Sequence, residues 1–156
     1  MEHRVGAIPF DIRNEQIALL FVTSQRRGRW ILPKGLIQSG ESHKQCCKRE
    51  AFEEAGVRGE FFRDYPITVG VGKATGKSVQ YMAVTYYPLL VNQQAKTWPE
   101  NKNRQRHWAL LENAMRLTDR EDMRQVICQF ENIKRWVIER AKRKKVQLTT
   151  QQKQEQ

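Results

Sequence analysis

Three glutamates stand close together in the first half of the chain: Glu50, Glu53 and Glu54. On an α-helix, their side chains fall within about 100° of one another and share one face. Like charges on one face repel each other, and a bound cation relieves that repulsion. Carboxylate oxygens suit hard cations, so the cluster predicts a Mg²⁺ or Mn²⁺ site that also meets substrate phosphates. Taken alone, the same three residues also fit an ordinary solvated helix face.

A longer pattern around the glutamates favours the metal site. It reads Gly35, five residues, Glu41, seven residues, and then Arg49-Glu50-Ala51-Phe52-Glu53-Glu54-Ala55-Gly56-Val57. The segment resembles the 23-residue Nudix box and has every fixed position of that box. The resemblance implies an α/β fold of the Nudix type, an α/β/α sandwich with a mixed sheet. It also implies a hydrolase that cleaves a pyrophosphate-type P–O–P bond with the help of Mg²⁺ or Mn²⁺.

The resemblance implies roles for individual residues of the box. The implied metal ligands are Glu50, Glu53, Glu54 and a backbone carbonyl at Gly35 or its neighbour Lys34. The implied catalytic residues are Glu41, Arg49, Glu50 and Glu53. Within the second set, Arg49 and Glu41 are expected to orient the metal-binding carboxylates rather than to bind the metal. Glu50 and Glu53 are both candidates for the general base, and that choice stays open.

Basic residues on either side of the box point to the substrate. Residues 26–35 are similar to the approach to the box in the diphosphoinositol polyphosphate phosphohydrolases, which also act on diadenosine polyphosphates, and residues 104–108 resemble their closing segment. Lys34 and Leu36 depart from that subfamily, which often has glycines there, so the fold is expected but the identity of the substrate stays open. A highly phosphorylated ligand needs several cations, and arginine forms bidentate hydrogen bonds with phosphate. The predicted substrate-binding residues are Arg26, Arg27, Arg29, Lys34, Arg104 and Arg106.

Two alternative functions are compatible with the charge of the chain. The net charge is +11, and residues 134–156 hold eight lysines and arginines but only two glutamates. A basic balance favours polyanionic partners without choosing among them. An RNA 5′ pyrophosphohydrolase would use the same chemistry and hold the RNA backbone with this basic segment. A catalytically silent module that binds a phosphorylated ligand or RNA would have no need of the intact carboxylate cluster.

Length and composition place the chain in a broad class. Its 156 residues suffice for one domain of usual size. No stretch approaches the roughly 18 apolar residues that span a bilayer, and the first residues lack the apolar core of a signal peptide. The three cysteines, two of them adjacent, have neither a disulfide framework nor a zinc spacing. We predict a reduced, cytoplasmic protein without a membrane partner, and its oligomeric state stays open.

The segments around the box alternate between strand and helix patterns. Strands are predicted over residues 3–10, 16–23, 59–70, 78–91 and 106–110. Ser42 with Gln45 forms a capping box that begins the helix of the Nudix box, and Gly56 ends this helix. This order favours a sheet packed between helices.

A second helix is predicted in the C-terminal part. Thr118 with Glu121 forms another capping box, which opens a long helix to about Lys145. Its predicted buried stripe consists of Val126, Ile127, Phe130, Ile133, Val137 and Ile138. Residues 1–145 are therefore predicted to form the hydrolase domain. The polar residues 146–156 are predicted to be a disordered tail.

Overall fold

The computed structural model describes the backbone of residues 2–155, and all of their side chains except those of residues 2, 73, 75 and 146–155. The strands are β1 (Glu2–Arg13), β2 (Gln16–Thr23), β3 (Trp30–Ile31), β4 (Lys34–Leu36), β5 (Val57–Phe61), β6 (Ile67–Thr75), β7 (Ser78–Gln94) and β8 (Arg106–Leu110). The helices are α1 (His43–Ala55), α2 (Leu111–Ala114) and α3 (Glu121–Glu155).

Strand β1 lies in the middle of a mixed sheet. The strand order is β3-β2-β1-β7-β5, with β4 paired to β1, β6 paired to β7 and β8 paired to β2. β1 runs parallel to β7 and antiparallel to β2 and β4. The mixed sheet confirms the predicted α/β class. Through β1, the strand β4 at the start of the box is held in the same sheet as β7.

Helices α1 and α3 pack on opposite faces of this sheet. Successive strand side chains point to alternate faces, so Phe10 and Ala7 of β1 point in opposite directions. Phe10 packs against Phe130 of α3, with ring centroids 6.1 Å apart. Tyr87 is the partner of Ala7 in β7. Its hydroxyl forms a 2.8 Å hydrogen bond with Nδ1 of His43 in α1. The sheet is therefore enclosed between the two helices, as the sandwich prediction requires.

Helix α1 begins and ends at the predicted residues. The Ser42 hydroxyl accepts from the backbone N–H of Gln45, and the Gln45 side chain accepts in return from the backbone N–H of Ser42. Gly56 ends the helix with φ 68°, a left-handed conformation that costs glycine little. The helix buries Cys46, Cys47, Ala51 and Ala55, together with two charged residues of the box.

Helix α3 begins at Glu121, two residues later than a capping box at Thr118 predicts. The Thr118 hydroxyl accepts from the backbone N–H of Arg120, so it closes a local turn in front of the helix instead of capping it. Four residues of the predicted stripe are buried, and Ile133 and Ile138 are partly buried. The backbone stays helical to Glu155, whereas a disordered tail was predicted from residue 146. The side chains of that tail lie outside the described residues.

The predicted strand over residues 59–70 is two strands. β5 ends at Phe61 and β6 begins at Ile67, with a turn at residues 63–64 between them. Asp64 favours a turn, and Pro66 has no N–H to donate to a neighbouring strand, so the strand pattern is interrupted there. None of the helices in the described part of the chain has the apolar stretch that a membrane span requires.

Candidate active site

The loop-helix arrangement of the box brings β4 against α1. β4 pairs with β1 in a register that sets Gly35 opposite Val5. A Cβ atom at Gly35 would collide with the carboxylate of Glu50, which therefore occupies the space that a side chain would take. Glycine is needed here for close approach, since its backbone conformation is not in the left-handed region. The structure thus explains the glycine that starts the pattern.

Arg49 ties the carboxylates of the box together. Its Nε and Nη2 donate to the two carboxylate oxygens of Glu41, at 2.7 and 2.9 Å. Its Nη1 donates to Glu50 at 2.7 Å and to Glu53 at 3.2 Å. Nη2 also donates to the backbone carbonyl of Leu36 at 3.0 Å. A single planar guanidinium therefore fixes three carboxylates and the entry loop.

The charges of this cluster shift its pKa values. Hydrogen bonds from Arg49 lower the pKa of the Glu41 carboxyl to about 2. Burial raises the pKa of Glu50, and the nearby charge of Glu53 acts in the same direction, whereas Arg49 opposes both. The carboxylates raise the pKa of Arg49 in turn. Glu41 and Arg49 are thus a fixed ion pair, and Glu50 is a carboxylate that a further cation would stabilise.

Glu54 lies about 40° from Glu50 around α1, but its partners are Lys34 and Arg104 and not Arg49. Its side chain is 8% exposed and accepts from the backbone N–H of Lys34 at 3.3 Å. Arg104 Nη2 is 3.3 Å from its other oxygen. Burial raises the pKa of Glu54 to about 8, although Arg104 opposes the shift. Glu53 differs from both buried glutamates, because 39% of its side chain is exposed to solvent.

The donor set fits a divalent cation whose remaining ligands are water and phosphate. Within the described part of the chain, no three carboxylate, histidine or cysteine side chains converge on one point. The reason is that Arg49 draws Glu50 and Glu53 to its own Nη1, while Glu54 pairs with Arg104. Mg²⁺ commonly uses only one or two protein carboxylates and keeps several waters. Buried Glu50 and exposed Glu53 on the same helix face suit such a partial shell.

A cleft of about 540 Å³ opens beside the box on the α3 face of the sheet. Its lining includes seven cationic residues, Arg4, Arg26, Arg27, Arg29, Lys34, Arg104 and Arg120, and one carboxylate, Glu54. Burial lowers the pKa of the Lys34 ammonium, and the Glu54 charge opposes this shift. An excess of cations on this scale suits a ligand with several phosphates.

The loop between β2 and β3 carries three of these arginines: Arg26, Arg27 and Arg29. It is closed by reciprocal bonds, since Ser24 N donates to the Arg29 carbonyl at 2.7 Å and Arg29 N donates to the Ser24 hydroxyl at 3.0 Å. Gly28 turns the chain with φ 62°. A closed loop holds the arginines at the mouth of the cleft while their side chains stay exposed.

Arg104 and Arg106 differ from the other predicted substrate cations. Arg104 lines the cleft, but it also donates to the Thr23 carbonyl at 2.8 Å and to Glu100 at 3.1 Å. Arg106 donates to the backbone carbonyls of Ala55 and Ala95, and it lies over the ring of Trp98. Its guanidinium is therefore engaged at the C-terminal end of α1, where a cation is favourable. Arg106 is not among the residues that line the cleft, and its role in substrate binding stays a prediction.

Sequence reasoning missed two cations that the fold brings to the cleft, Arg4 and Arg120. Arg4 pairs with Leu36 across β1 and β4, so the strand register carries it to the entry of the box. Arg120 precedes α3, and Asp122 orients it through two hydrogen bonds of 3.1 and 3.0 Å. Long-range pairing places both residues, and the only local signal was the alternating pattern of β1.

Comparison with known proteins agrees with this geometry. The NUDIX domain family matches residues 2–130. The chain therefore belongs to the Nudix family. It is 34% identical over 137 residues to Nudix hydrolase 21, chloroplastic, of Arabidopsis thaliana, an alignment that covers 83% of this chain and 66% of the relative. It is 30% identical over 141 residues to Nudix hydrolase 4 of the same plant, covering 83% and 65%. The chain thus spans slightly less than two thirds of the length of these relatives.

Solved structures share the fold at lower sequence identity. A Caenorhabditis elegans Ap4A hydrolase binary complex aligns with a TM-score of 0.71 and 22% identity, over 85% of this chain and 97% of that one. The NUDIX domain of Shewanella oneidensis NrtR, complexed with ADP ribose, aligns with a TM-score of 0.63 and 23% identity, over 85% and 87%. At such identities these two structures support the fold alone.

Proposed function

We propose that this protein is a metal-dependent hydrolase that cleaves a pyrophosphate-type P–O–P bond in a phosphorylated small molecule. The observation that carries the proposal is the Arg49 cluster at the edge of a cleft rich in cations. Glu54 joins the two, because it belongs to the box and also lines the cleft. A site for phosphate binding and a site for metal-assisted chemistry therefore lie side by side.

The residues of the chain divide the work between binding and orientation. The cleft cations bind the phosphates and neutralise their charge. Arg49, held by Glu41, fixes Glu50 and Glu53 in position. When bound, Mg²⁺ or Mn²⁺ would neutralise charge on the leaving oxygen and lower the pKa of the attacking water. Glu50 and Glu53 remain the candidates to take the proton from this water as its oxygen bonds to phosphorus and the bridging P–O bond breaks.

We propose a diphosphoinositol polyphosphate or a diadenosine polyphosphate as the substrate. Both carry several phosphates, and the cleft has seven cations for one carboxylate. The resemblance of residues 26–35 to the diphosphoinositol polyphosphate phosphohydrolases supports both classes. Likeness of fold to an Ap4A hydrolase is compatible with the second. The three free cysteines suit a reducing compartment, and we propose the cytoplasm.

The contacts of α3 weaken the case for an RNA substrate. Arg140, Lys144 and Lys145 lie 3.2, 3.4 and 3.7 Å from carboxylates of Asp64, Glu60 and Asp11 on the sheet side. These lysines and arginines are therefore partly neutralised by the domain itself. We propose that removal of residues 146–156 leaves turnover of a small-molecule substrate unchanged. A large loss of turnover on their removal would favour a role of the tail in binding.

The test is turnover with Mg²⁺ across a substrate panel, with EDTA as the metal-free control. The panel holds diadenosine polyphosphates, a diphosphoinositol phosphate, nucleoside triphosphates, nucleotide sugars and 5′-triphosphate RNA. We expect metal-dependent cleavage of the first two, and Glu53→Gln should remove most of it while folding is retained. The matched control is Glu131→Gln, an exposed glutamate on α3 that should keep wild-type rates. Wild-type rates in Glu53→Gln would contradict the metal assignment, and cleavage of RNA alone would contradict the substrate.

A further inference from the structure

A second cleft, of about 520 Å³, lies between the ends of β1, β2, β7 and β8. Its lining comes from β1, the β1–β2 turn, β2, β7 and β8, and shares no residue with the cation-rich cleft. Asp11 lines the second cleft, and Arg4 of the same strand lines the first. The two residues are seven positions apart along the strand, a distance of roughly 23 Å. Because alternate residues face opposite sides, Arg4 and Asp11 also lie on opposite faces of the sheet.

An irregularity in β7 shapes one wall of this second cleft. The pairing with β5 shifts register, because Arg58 pairs with Gln93 while Gly59 pairs with Val91. Asn92 is therefore an extra residue in β7, a β-bulge. In a regular strand, side chains would alternate between faces, but here the four consecutive residues 91–94 all line the cleft. Gly59 permits the bulge, since a Cβ atom there would collide with the Leu90 carbonyl.

The floor of the cleft is apolar and includes one aromatic ring. Ala18, Val91, Trp108 and Leu110 are partly buried and form this floor. The Trp108 indole is held in place because its Nε1 donates to the Gln94 side chain at 2.8 Å. A fixed, half-buried indole beside small apolar residues offers a surface on which a planar ring stacks.

The rim of the cleft is rich in amides and carries little net charge. Its five amide side chains are Asn14, Gln16, Asn92, Gln93 and Gln94, and all five residues are exposed. The charged lining residues are Asp11 and Arg13, which pair at 3.3 Å. Lys145 also lies 3.7 Å from the Asp11 carboxylate. This balance contrasts with the seven cations of the other cleft, so it does not select a polyphosphate.

We infer that this cleft is a second, non-catalytic site that binds the base of a nucleoside. Each side-chain amide offers both a donor and an acceptor, and asparagine and glutamine pair with base edges in this way. An aromatic face stacks on any base. The volume lies within the range of about 300–1,000 Å³ that is usual for small-molecule sites. The inference does not depend on the hydrolase activity, because none of the box residues contributes to this cleft.

Calorimetric titration of the full chain with adenosine, guanosine, cytidine, uridine and glucose tests this site. We expect saturable binding of at least one nucleoside and none of glucose. Trp108→Leu should weaken that binding by about tenfold or more, since stacking on an aromatic side chain is lost. Asn92→Ala should weaken it several-fold, and because Asn92 is exposed this variant is expected to fold normally. The matched control is Gln129→Ala, an exposed amide on α3 that should bind like the wild type.

Three results would overturn the inference. The first is the absence of saturable heat with all four nucleosides. The second is binding of glucose in place of a nucleoside, which would assign the rim to a sugar. The third is nucleoside binding that Arg27→Ala abolishes and that both Trp108→Leu and Asn92→Ala leave intact, since it would place the nucleoside in the catalytic cleft. Thermal melts by circular dichroism show whether each variant is folded, and Asn92→Ala should retain wild-type hydrolysis.

Discussion

Replacement of Arg49 by lysine tests whether the planar guanidinium, and not its charge alone, organises the box. In the structure, the Arg49 side chain donates to Glu41 through two nitrogens, to Glu50 and Glu53 through a third, and to a backbone carbonyl. A lysine keeps the positive charge but concentrates its three donors on one atom. One ammonium group at the end of a flexible chain cannot keep the two-pronged contact with Glu41 and also hold Glu50 and Glu53.

The size of the effect follows from the contacts that are lost. A hydrogen bond to a charged group contributes about 1.5–3 kcal/mol, and the lysine variant loses at least two of them while it regains part of the ion pairing. We therefore expect Arg49→Lys to lower the free energy of unfolding by about 2–4 kcal/mol. Loss of a residue that orients metal ligands typically reduces metal affinity or activity by about 10–100-fold. Arg49→Ala should be worse on both measures, because it leaves Glu41 and the buried Glu50 without their cation.

The assay separates positioning from substrate binding. We would measure kcat, KM and the half-saturating Mg²⁺ concentration on a cleaved substrate, together with urea unfolding. Arg49→Lys should lower kcat and raise the Mg²⁺ requirement, with a smaller change in KM, because the cleft cations are untouched. The matched control is Arg58→Lys, since Arg58 lies over the Phe52 ring outside the box cluster and should keep wild-type kinetics. Wild-type kcat and Mg²⁺ dependence in Arg49→Lys would refute the idea that the planar guanidinium positions Glu50 and Glu53.

Three further predictions concern the same site and its surroundings. Gly35→Ala should reduce kcat by about tenfold or more, because its Cβ would displace the Glu50 carboxylate, whereas Gly70→Ala, with open space at its Cβ, should not. Glu41→Gln should destabilise the protein by about 1–3 kcal/mol at neutral pH. The pKa of Glu41 is lowered to about 2 in the folded state. The difference in free energy of unfolding between wild type and Glu41→Gln, measured with urea, should therefore reach its full size above about pH 4.5 and shrink as the pH falls towards 2. Arg106→Ala should lower the midpoint of thermal unfolding while KM for the substrate stays near the wild-type value, because Arg106 contacts backbone carbonyls instead of the cleft.

Local patterns predicted the part of the site that one segment encodes. The helix from Ser42 to Gly56 is defined by its capping box and its left-handed terminal glycine, both of which depend on neighbouring residues. The carboxylates on this helix share a face because helical geometry alone decides it. The pairing of Arg49 with Glu41 was expected from the resemblance to the Nudix box, and the structure shows its geometry.

Contacts between residues far apart in the sequence determine the site residues that local patterns did not predict. Arg4 reaches the cleft because β1 pairs with β4, and no spacing along the chain links these two strands. Arg106 was predicted to bind substrate from its place near the box, and long-range contacts set its guanidinium against the C-terminal end of α1 and the ring of Trp98. The start of α3 was misplaced for a local reason, since a threonine hydroxyl that caps a helix can equally close a turn in front of it.

The carboxylates of the box differ in which cations compensate their charge. Arg49 pairs with Glu41, Glu50 and Glu53, so one positive charge holds three carboxylates in place. Glu54 has Arg104 as its only side-chain partner among the described ion pairs, and burial raises its pKa to about 8. Seven cationic residues line the same cleft as Glu54, and substrate phosphates bound there would add negative charge. On the proposed function, the Arg49 cluster would hold the metal and the cation-rich cleft would hold the phosphates, so the bond to be cleaved would lie between the two.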